Sequence, residues 1–194
     1  MSHHLHLGTL TALVATVLLA LSPGAGAVPV LGEPILGGIL KVATTGVVTA
    51  EFLGSDAGYF NRLYLTVDDR SLFTKKTRTG TTVDLGSLGA GTELVFRLHV
   101  DNTGHDFYTG LAAGNPDGLP HALAVTRYDS DRSIYFTDVG FEDLWGGGDR
   151  DFNDFMFRLW NVIDPPPSVT PEPGVLALLG VGLLAYGARR RRRG

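Results

Sequence analysis

Hydrophobic and polar residues alternate in several short runs in the middle of the chain. In the run 93–100, leucine, phenylalanine, leucine and valine occupy every second position, separated by valine, arginine and histidine. The run 155–162 shows the same alternation with Phe155, Phe157 and Leu159. A period of two is typical of a β-strand that turns one side toward the core. We therefore predict that one face of each run enters a hydrophobic core.

Turn residues separate these runs. Glycine, Asp and Asn interrupt the middle of the chain so often that no uninterrupted window longer than about ten residues shows helical periodicity. Short runs of this kind predict strands at 47–53, 59–67, 81–85, 93–100, 123–128, 133–136 and 155–162. Such a pattern favours an all-β fold, an antiparallel β-sandwich or jelly roll, over alternating β and α units.

The amino-terminal segment has the features of a cleavable signal peptide. The apolar run 7–21 is followed by a Ser-Pro-Gly break and by the small residues Ala25, Gly26 and Ala27. Signal peptidase requires small residues at two alternate positions before the cleavage site, here Ala25 and Ala27. We predict a signal peptide over 1–27, with cleavage after Ala27.

The carboxyl-terminal segment consists of a proline-rich linker, 165–170, and a tail, 171–194. Consecutive prolines fix φ and cannot join a helix or a sheet, so the linker should be extended. In the tail, an apolar segment over 174–188 is shorter than the ~20 residues of a stable membrane-spanning helix, although an ordinary membrane anchor remains an alternative. The arginines that follow should stay cytoplasmic. The residues that define the tail are Pro171, Glu172, Pro173, Arg189, Arg190, Arg191, Arg192 and Arg193.

Pro-Glu-Pro, a short hydrophobic helix and a terminal arginine cluster, in that order, resemble the PEP-CTERM sorting signal. The resemblance covers 171–194. It implies that an exosortase recognises and processes the tail while it is transiently inserted in the inner membrane. It also implies delivery to the cell surface or the extracellular matrix of a bacterium that makes exopolysaccharide.

The segment between the two ends, 28–164, is long enough for one hydrophobic core and is predicted to be a single domain. Between Val28 and Thr170 there are 11 Lys and Arg against 19 Asp and Glu, so nucleic acid is a poor partner and cations are better ones. The chain has no cysteine, which excludes disulfides, thiolate metal sites and a cysteine nucleophile.

The segment 141–154 concentrates acidic residues around three consecutive glycines, with five carboxylates in all. A hard cation such as Ca²⁺ takes six to eight oxygen ligands in irregular geometry, which a flexible loop of this kind offers. Without a cation, the like charges would repel. The predicted ligands of a Ca²⁺ site are Asp149, Asp151, Asn153, Asp154, Glu142 and Asp143.

The spacing within this segment differs from that of an EF-hand. Asp149, Asp151 and Asn153 repeat the first three ligand positions, but Asp154 stands where the EF-hand needs glycine. A structural alternative is that these residues form Asx turns beside a β-hairpin, with Arg150 pairing with a neighbouring carboxylate.

The sequence G-F-E-D-L-x-G-G-G-D-R-D-F-N-D, followed by an apolar strand, resembles the signature that closes a domain-of-unknown-function family of exported bacterial proteins. The match runs over 140–157. It implies a β-sandwich in an exported protein, often one with a PEP-CTERM tail, and it assigns no activity. The cation role is inferred from the residues alone.

A second polar stretch spans 101–108 and 115–122. Its side chains could line a sugar or cation site on loops at one end of a sandwich, or could shape turns such as the Asn-Pro-Asp-Gly turn. The residues in question are His105, Asp106, Tyr108, Asn115, Asp117 and His121.

Catalysis has weak support. Glu142 and Asp143 are adjacent and should point in opposite directions, and no recognised nucleophile motif is present. We predict an exported, non-enzymatic surface or matrix protein, stabilised by Ca²⁺ and associated with exopolysaccharide. One alternative is a carbohydrate-binding module that uses exposed aromatics such as Trp145, Tyr108 or Tyr128. A secreted glycan-active hydrolase is a more remote one.

Overall fold

The computed structural model describes residues 31–165, and the predicted signal peptide and sorting tail lie outside this range. Within it, no helix is long and apolar enough to cross a membrane. The described chain contains one short 3-10 helix, Ala112–Gly114. Its strands are β1 (Pro34–Leu36), β2 (Leu40–Val42), β3 (Gly46–Gly54), β4 (Asn61–Leu65), β5 (Arg70–Thr74), β6 (Thr82–Leu88), β7 (Glu93–Leu94), β8 (Phe96–Val100), β9 (His105–Tyr108), β10 (Ala122–Asp129), β11 (Ile134–Phe141), β12 (Phe155–Trp160) and β13 (Val162–Ile163).

These strands form three antiparallel sheets. The largest has the order β1-β10-β11-β12-β3-β6, the second β5-β4-β8-β9, and the smallest β13-β2-β7. The hairpin of β11 and β12 lies at the centre of the six-stranded sheet. The prediction of an all-β antiparallel sandwich is confirmed.

Phenylalanine side chains fill the core. Phe52 contacts Phe73 and Phe155 at ring-centroid distances of 5.6 and 5.1 Å. Phe96 and Phe157 lie 5.1 Å apart and join the six-stranded and four-stranded sheets. All five rings are at most 1% exposed. The alternation in the two runs therefore predicted the buried face correctly.

The strand boundaries differ from the prediction where the chain changes sheets. The run 155–162 breaks at Asn161, which has a φ of 65°. Its amide oxygen accepts the N–H and the hydroxyl of Thr44, and its amide nitrogen donates to the carbonyl oxygens of Thr44 and Val47. Asn tolerates this left-handed conformation, so the chain can pass here from the six-stranded to the three-stranded sheet.

Candidate functional site

The acidic segment is the loop 142–154, which connects the central strands β11 and β12. Gly146, Gly147 and Gly148 all have positive φ, at 86°, 82° and 48°. A Cβ on Gly148 would also lie 2.1 Å from Oε2 of Glu142. The three glycines are therefore required by the path of the loop, because other residues adopt this conformation only with strain.

Glu142 is a buried acid at the start of the loop. Its side chain is 1% exposed, and Oε1 accepts the backbone N–H of Phe152 at 2.7 Å. Burial, followed by the neighbouring charges of Asp149, Asp151 and Asp143, raises the pKa of Glu142 above its ordinary value. A bound cation would strongly favour the ionised form of a carboxyl group that is buried among like charges.

Three carboxylates converge in the loop, of which Asp149 and Asp151 are exposed and Glu142 is buried. One oxygen from each of Glu142, Asp149 and Asp151 lies within 4.8 Å of the others. Arg150 lies between two of them in the sequence but enters no salt bridge within residues 31–165. The positive partner that the structural alternative requires is therefore missing from this part of the chain. We call these three residues the outer cluster.

The Asx turns of the structural alternative are present as well. Asp149 Oδ1 accepts the N–H of Asp151 at 3.5 Å, and Asp151 Oδ1 accepts the N–H of Asn153 at 3.2 Å. The amide of Asn153 donates to the other oxygen of Asp151. These bonds fix the backbone of the loop and leave the carboxylates gathered on one side of it.

The remaining two predicted ligands form a separate, more buried pair. The backbone N–H of Asp143 donates to Asp154 Oδ2 at 3.0 Å, and Asp143 Oδ2 accepts the amide of Asn61 at 2.8 Å. Burial, and then the charges of Asp143 and Glu142, raise the pKa of Asp154 to about 6. The predicted ligands thus fall into the outer cluster and this inner pair, with Asn153 bonded to Asp151.

His121 supports the loop from below and was not predicted to do so. It is completely buried and stacks on Phe107 with ring centroids 3.7 Å apart. Its Nδ1 lies 3.0 Å from the carbonyl oxygen of Glu142, and its Nε2 lies 2.8 Å from Asp117 Oδ2. The ring therefore ties the start of the acidic loop to the turn over 115–121.

Asp117 completes this connection. It accepts the N–H groups of Gly146, at 2.9 Å, and Leu119, at 3.1 Å. Burial acts to raise its pKa, but the hydrogen bonds from Gly146, His121 and Leu119 together hold the pKa below its usual value. Sequence reasoning offered only the Asn-Pro-Asp-Gly turn as a signal, and that turn does not reveal a partner 29 residues away.

The rest of the second polar stretch makes contacts within its own turn, with the neighbouring strand and with the acidic loop. Asn115 accepts the N–H of Tyr108 and donates to its carbonyl oxygen. Asp106 lies 2.7 Å from Nδ1 of His99. His105 packs against Trp145, whose side chain in the acidic loop is 54% exposed.

A groove adjoins the acidic loop. It has a volume of about 520 Å³ and is lined by leucines and prolines on one part of its wall and by loop residues on another. Arg150 and Asp151 are among the loop residues, and Leu36, Leu119 and Leu123 are among the apolar ones. Asp151 thus belongs both to the outer cluster and to the wall of the groove.

Two family models match the chain. Residues 88–161 match a domain of unknown function (DUF4114), and residues 169–193 match the PEP-CTERM protein-sorting motif. Both resemblances drawn from the sequence are confirmed. The sorting motif marks the chain as an exported protein sorted through the membrane and implies exosortase processing. No curated protein sequence matches the chain significantly.

The comparison with solved structures finds similarity to several bacterial lectins. The Ralstonia solanacearum high-affinity mannose-binding lectin is 18% identical, with a TM-score of 0.39, over 63% of this chain and 94% of its own. The C-terminal domain of the BC2L-C lectin from Burkholderia cenocepacia is 18% identical, with a TM-score of 0.43, over 66% and 97%. The Chromobacterium violaceum lectin CV2L, in complex with alpha-methyl-fucoside, is 16% identical, with a TM-score of 0.40, over 63% and 94%.

Proposed function

We propose that the outer cluster binds a hard divalent cation, Ca²⁺ in the first instance, and that the bound ion forms part of a binding site for a bacterial exopolysaccharide. The protein is then a non-enzymatic component of the cell surface or extracellular matrix. The observation that carries the proposal is the convergence of the Glu142, Asp149 and Asp151 oxygens at the edge of a groove.

The chemistry of the outer cluster favours Ca²⁺ over softer metals. All three ligands offer carboxylate oxygens, and the chain contains no cysteine. Oxygen-only sites with irregular geometry suit Ca²⁺, whereas zinc and copper prefer nitrogen and sulfur. A divalent ion also supplies the positive charge that Arg150 does not.

The exposure of the cluster favours a ligand on the ion. Ca²⁺ takes six to eight oxygens, and three carboxylates supply at most six of them even if each binds through both oxygens. Asp149 and Asp151 are exposed, so the remaining coordination positions face solvent. Water fills such positions, and the hydroxyl groups of a sugar can replace it.

The groove offers a surface beside the ion. The volume of the groove, about 520 Å³, is within the range of small-ligand sites. Its wall is rich in apolar side chains, such as that of Leu36, which is 58% exposed. Apolar walls suit the C–H faces of sugar rings, and the ion suits their hydroxyls. Exposed Trp145, in the same loop, adds an aromatic surface for stacking.

The arrangement of the acids supports binding over catalysis. Glu142 and Asp143 are adjacent, but one accepts the N–H of Phe152 and the other accepts the amide of Asn61. Asp154, whose pKa is about 6, accepts the backbone N–H of Asp143 and is not part of the groove wall. Asp151 is the only carboxylate among residues 31–165 that lines the groove, whereas a glycosidase requires two acids that flank the same bond of the substrate.

The test is retention of the full chain on an array of bacterial exopolysaccharides, in millimolar Ca²⁺ and in excess EGTA. We expect retention in Ca²⁺ only, its loss in Asp149→Asn, and no effect of Asp131→Asn, which changes an exposed acid in another turn. Leu36→Glu should weaken retention while the protein still binds Ca²⁺, because it alters the groove and not the cluster.

Two results would contradict the proposal. Retention that is equal in Ca²⁺ and EGTA would remove the ion from the binding site. Release of reducing ends from the bound polysaccharide, abolished by Asp149→Asn, would identify a hydrolase instead.

A further inference from the structure

The peptide bond at the end of the last strand joins an aspartate to a proline. Asp164 follows β13 directly, and the sequence contains no other Asp-Pro pair. Acid breaks an Asp-Pro bond more easily than other peptide bonds, because the aspartyl carboxyl group lies beside its own main-chain carbonyl and the proline nitrogen accepts a proton readily. Proline also lacks the N–H through which the next residue could instead attack the side chain. The position of this bond in the fold therefore has chemical consequences.

The carboxyl group of Asp164 is buried among neutral groups. Its side chain is 1% exposed, and Oδ1 accepts the backbone N–H of Ile39 at 3.1 Å. Oδ2 has no hydrogen-bond partner among residues 31–165, and a Cβ on Gly38 would lie 3.8 Å from it. A buried polar atom without a partner is rare in folded proteins and calls for an explanation.

Buried threonine hydroxyls hold the main chain at this residue. The N–H of Asp164 donates to Oγ1 of Thr126 at 2.8 Å, and this oxygen lies 3.0 Å from Oγ1 of Thr137. The Thr137 hydroxyl donates to the carbonyl oxygen of Val162 at 2.8 Å. Both threonines are at most 1% exposed. The backbone on the amino-terminal side of the Asp-Pro bond is thus fixed together with the carboxyl group.

We propose that the Asp164–Pro165 bond is a self-cleavage site, at which the Asp164 carboxyl group separates the folded domain from the linker and the sorting tail under mildly acidic conditions. This activity is independent of the proposed cation site. It rests on the Asp-Pro sequence, the burial of the carboxyl group and its unpartnered oxygen.

The reaction needs only water as a second reactant. Oδ2 bonds to the main-chain carbonyl carbon of Asp164, the bond from this carbon to the nitrogen of Pro165 breaks, and the carboxyl proton passes to that nitrogen. The products of this step are a cyclic anhydride at Asp164 and a proline with a free secondary amine. Water then opens the anhydride and restores the side-chain carboxyl group beside a new terminal one. A carboxyl group that is already in contact with its target gains from proximity in this way.

The burial of Asp164 sets the pH at which the bond is reactive. The proton that the nitrogen receives comes from the carboxyl group, so the neutral form reacts. Burial raises the pKa of Asp164 to about 6, the Ile39 N–H acts against this increase, and no charged group among residues 31–165 contributes to it. Gly38, Ile39 and Thr126, which surround the carboxyl group, do not titrate. The reactive form therefore persists at pH values where an exposed aspartate is ionised.

The test is incubation of the purified full chain in detergent at several pH values, with the products identified by mass spectrometry. We expect one fragment that ends at Asp164 and one that begins at Pro165. The cleavage rate should level off below about pH 5 and fall as the pH rises through 6. At pH 5.5 the folded protein should be cleaved about thirtyfold faster than the urea-unfolded protein, the ratio of neutral carboxyl groups for pKa values of about 6 and 3.9.

Two variants identify the groups that react. Asp164→Asn keeps an oxygen for the Ile39 N–H but has no acidic proton, and it should not be cleaved at pH 5.5. Pro165→Ala keeps the carboxyl group and should be cleaved at least about tenfold more slowly, because an ordinary peptide nitrogen accepts the proton less readily. Asp131→Asn, which changes an exposed acid in another turn, should be cleaved like the wild type.

Three results would overturn the proposal. The first is a folded wild type that stays intact at pH 5.5, or that is cleaved no faster than the unfolded chain, since the fold would then not promote the reaction. The second is cleavage of Asp164→Asn at the wild-type rate, which would assign the cut to a contaminating protease. The third is an unchanged rate in Pro165→Ala, which also decides the question if Asp164→Asn does not fold.

Discussion

Two acidic turns on the six-stranded sheet carry the same kinds of side chains but differ in whether a positive side chain compensates their carboxylates. In the β10–β11 turn, Asp129 accepts the N–H groups of Asp131 and Arg132 and pairs with the Arg132 guanidinium at 2.6 Å. These contacts, led by the N–H of Arg132, hold the pKa of Asp129 below its usual value. In the β11–β12 loop, Arg150 enters no salt bridge within residues 31–165, and three carboxylates approach one another.

The difference shows what an acidic segment must do to indicate a cation site. A high density of Asp and Glu is common to both turns and is therefore not sufficient. The β10–β11 turn supplies its own positive charge and its own hydrogen bonds, so it needs no ion. The β11–β12 loop also has its own hydrogen bonds, but within residues 31–165 it holds three carboxylates together without a salt bridge from Arg150, which is the property that indicates a cation site.

The largest effect is expected from changing the support of the loop. Gly140 lies under Phe152, and a Cβ at Gly140 would be 2.0 Å from the Phe152 carbonyl oxygen. Gly140→Ala should therefore displace the loop and lower the free energy of unfolding by about 3 kcal/mol, at the upper end of overpacking effects. Urea denaturation of the full chain measures this.

Gly58→Ala is the control for this change, because a Cβ at Gly58 meets nothing within 4 Å. Its effect should be within about 0.5 kcal/mol, as for most surface substitutions. If both variants are equally stable, the loop is free to move away from Gly140, and its shape is not a fixed part of the fold.

The next effect is that of Ca²⁺ on thermal unfolding. An ion at 100 times its dissociation constant should stabilise the wild type by about 2.7 kcal/mol, which corresponds to several degrees in the midpoint. Asp151→Asn should abolish the response. It keeps an oxygen that can accept the N–H of Asn153, so the Asx turn is preserved while the ligand charge is lost.

Asp131→Asn makes the same chemical change in the self-compensated turn and should respond to Ca²⁺ like the wild type. A response that disappears in both variants would show that Ca²⁺ acts through net charge and not through the outer cluster. The absence of a response in the wild type would reduce the β11–β12 loop to a hairpin cap.

Strands could be predicted from the sequence where they have one buried face and are long enough to show the two-residue alternation of apolar and polar side chains. The runs that contain Phe96 and Phe157 satisfy this condition. The strands β1, β2, β5 and β9 have three to five residues each, and their pairing depends on distant segments. β11 was predicted too short because its second half contains Asp138 and Gly140, whose roles depend on Arg158 and Phe152 across the fold.

The candidate site could be predicted as a set of residues but not as an arrangement. The density of acids directed the prediction to the segment that forms the β11–β12 loop. The division into an outer cluster and an inner pair depends on the left-handed backbone at Arg150 and Phe152, with φ of 64° and 55°, which no residue type specifies. Asn61, 82 residues before its partner Asp143, carries no local signal at all.

A carboxylate that is buried without like-charged neighbours tests burial alone. Asp164 is 1% exposed, accepts the N–H of Ile39 with one oxygen, and burial raises its pKa to about 6. A raised pKa means that the folded state holds the proton more tightly, so this contribution to stability is complete below about pH 4 and is lost as the pH rises through 6. Asp164→Asn should therefore stabilise the protein by about 2 kcal/mol at pH 7.5.

The measurement is urea denaturation of the wild type and Asp164→Asn at several pH values. Asp154 also has a pKa near 6, so the wild type keeps some pH dependence, and the difference between the two curves isolates Asp164. The difference should approach zero or reverse below pH 4. If the difference in unfolding free energy between the two proteins stays constant from pH 4 to 7.5, the substitution acts through the hydrogen bonds of residue 164 and not through the loss of its charge.

The smallest effect is expected from replacing the arginine of each turn and comparing the Ca²⁺ affinities of the two variants. Arg150 is exposed beside the outer cluster and should repel a bound cation, so Arg150→Gln is expected to increase Ca²⁺ affinity about two- to fivefold, the size of a surface charge interaction. Arg132 forms a salt bridge with Asp129 and lies over the ring of Trp160, so Arg132→Gln should leave the Ca²⁺ affinity unchanged. Calorimetric titration at low ionic strength resolves this difference, which should shrink in high salt. If Arg150→Gln weakened Ca²⁺ binding instead, Arg150 would be holding the carboxylates in place, and the two turns would differ only in degree.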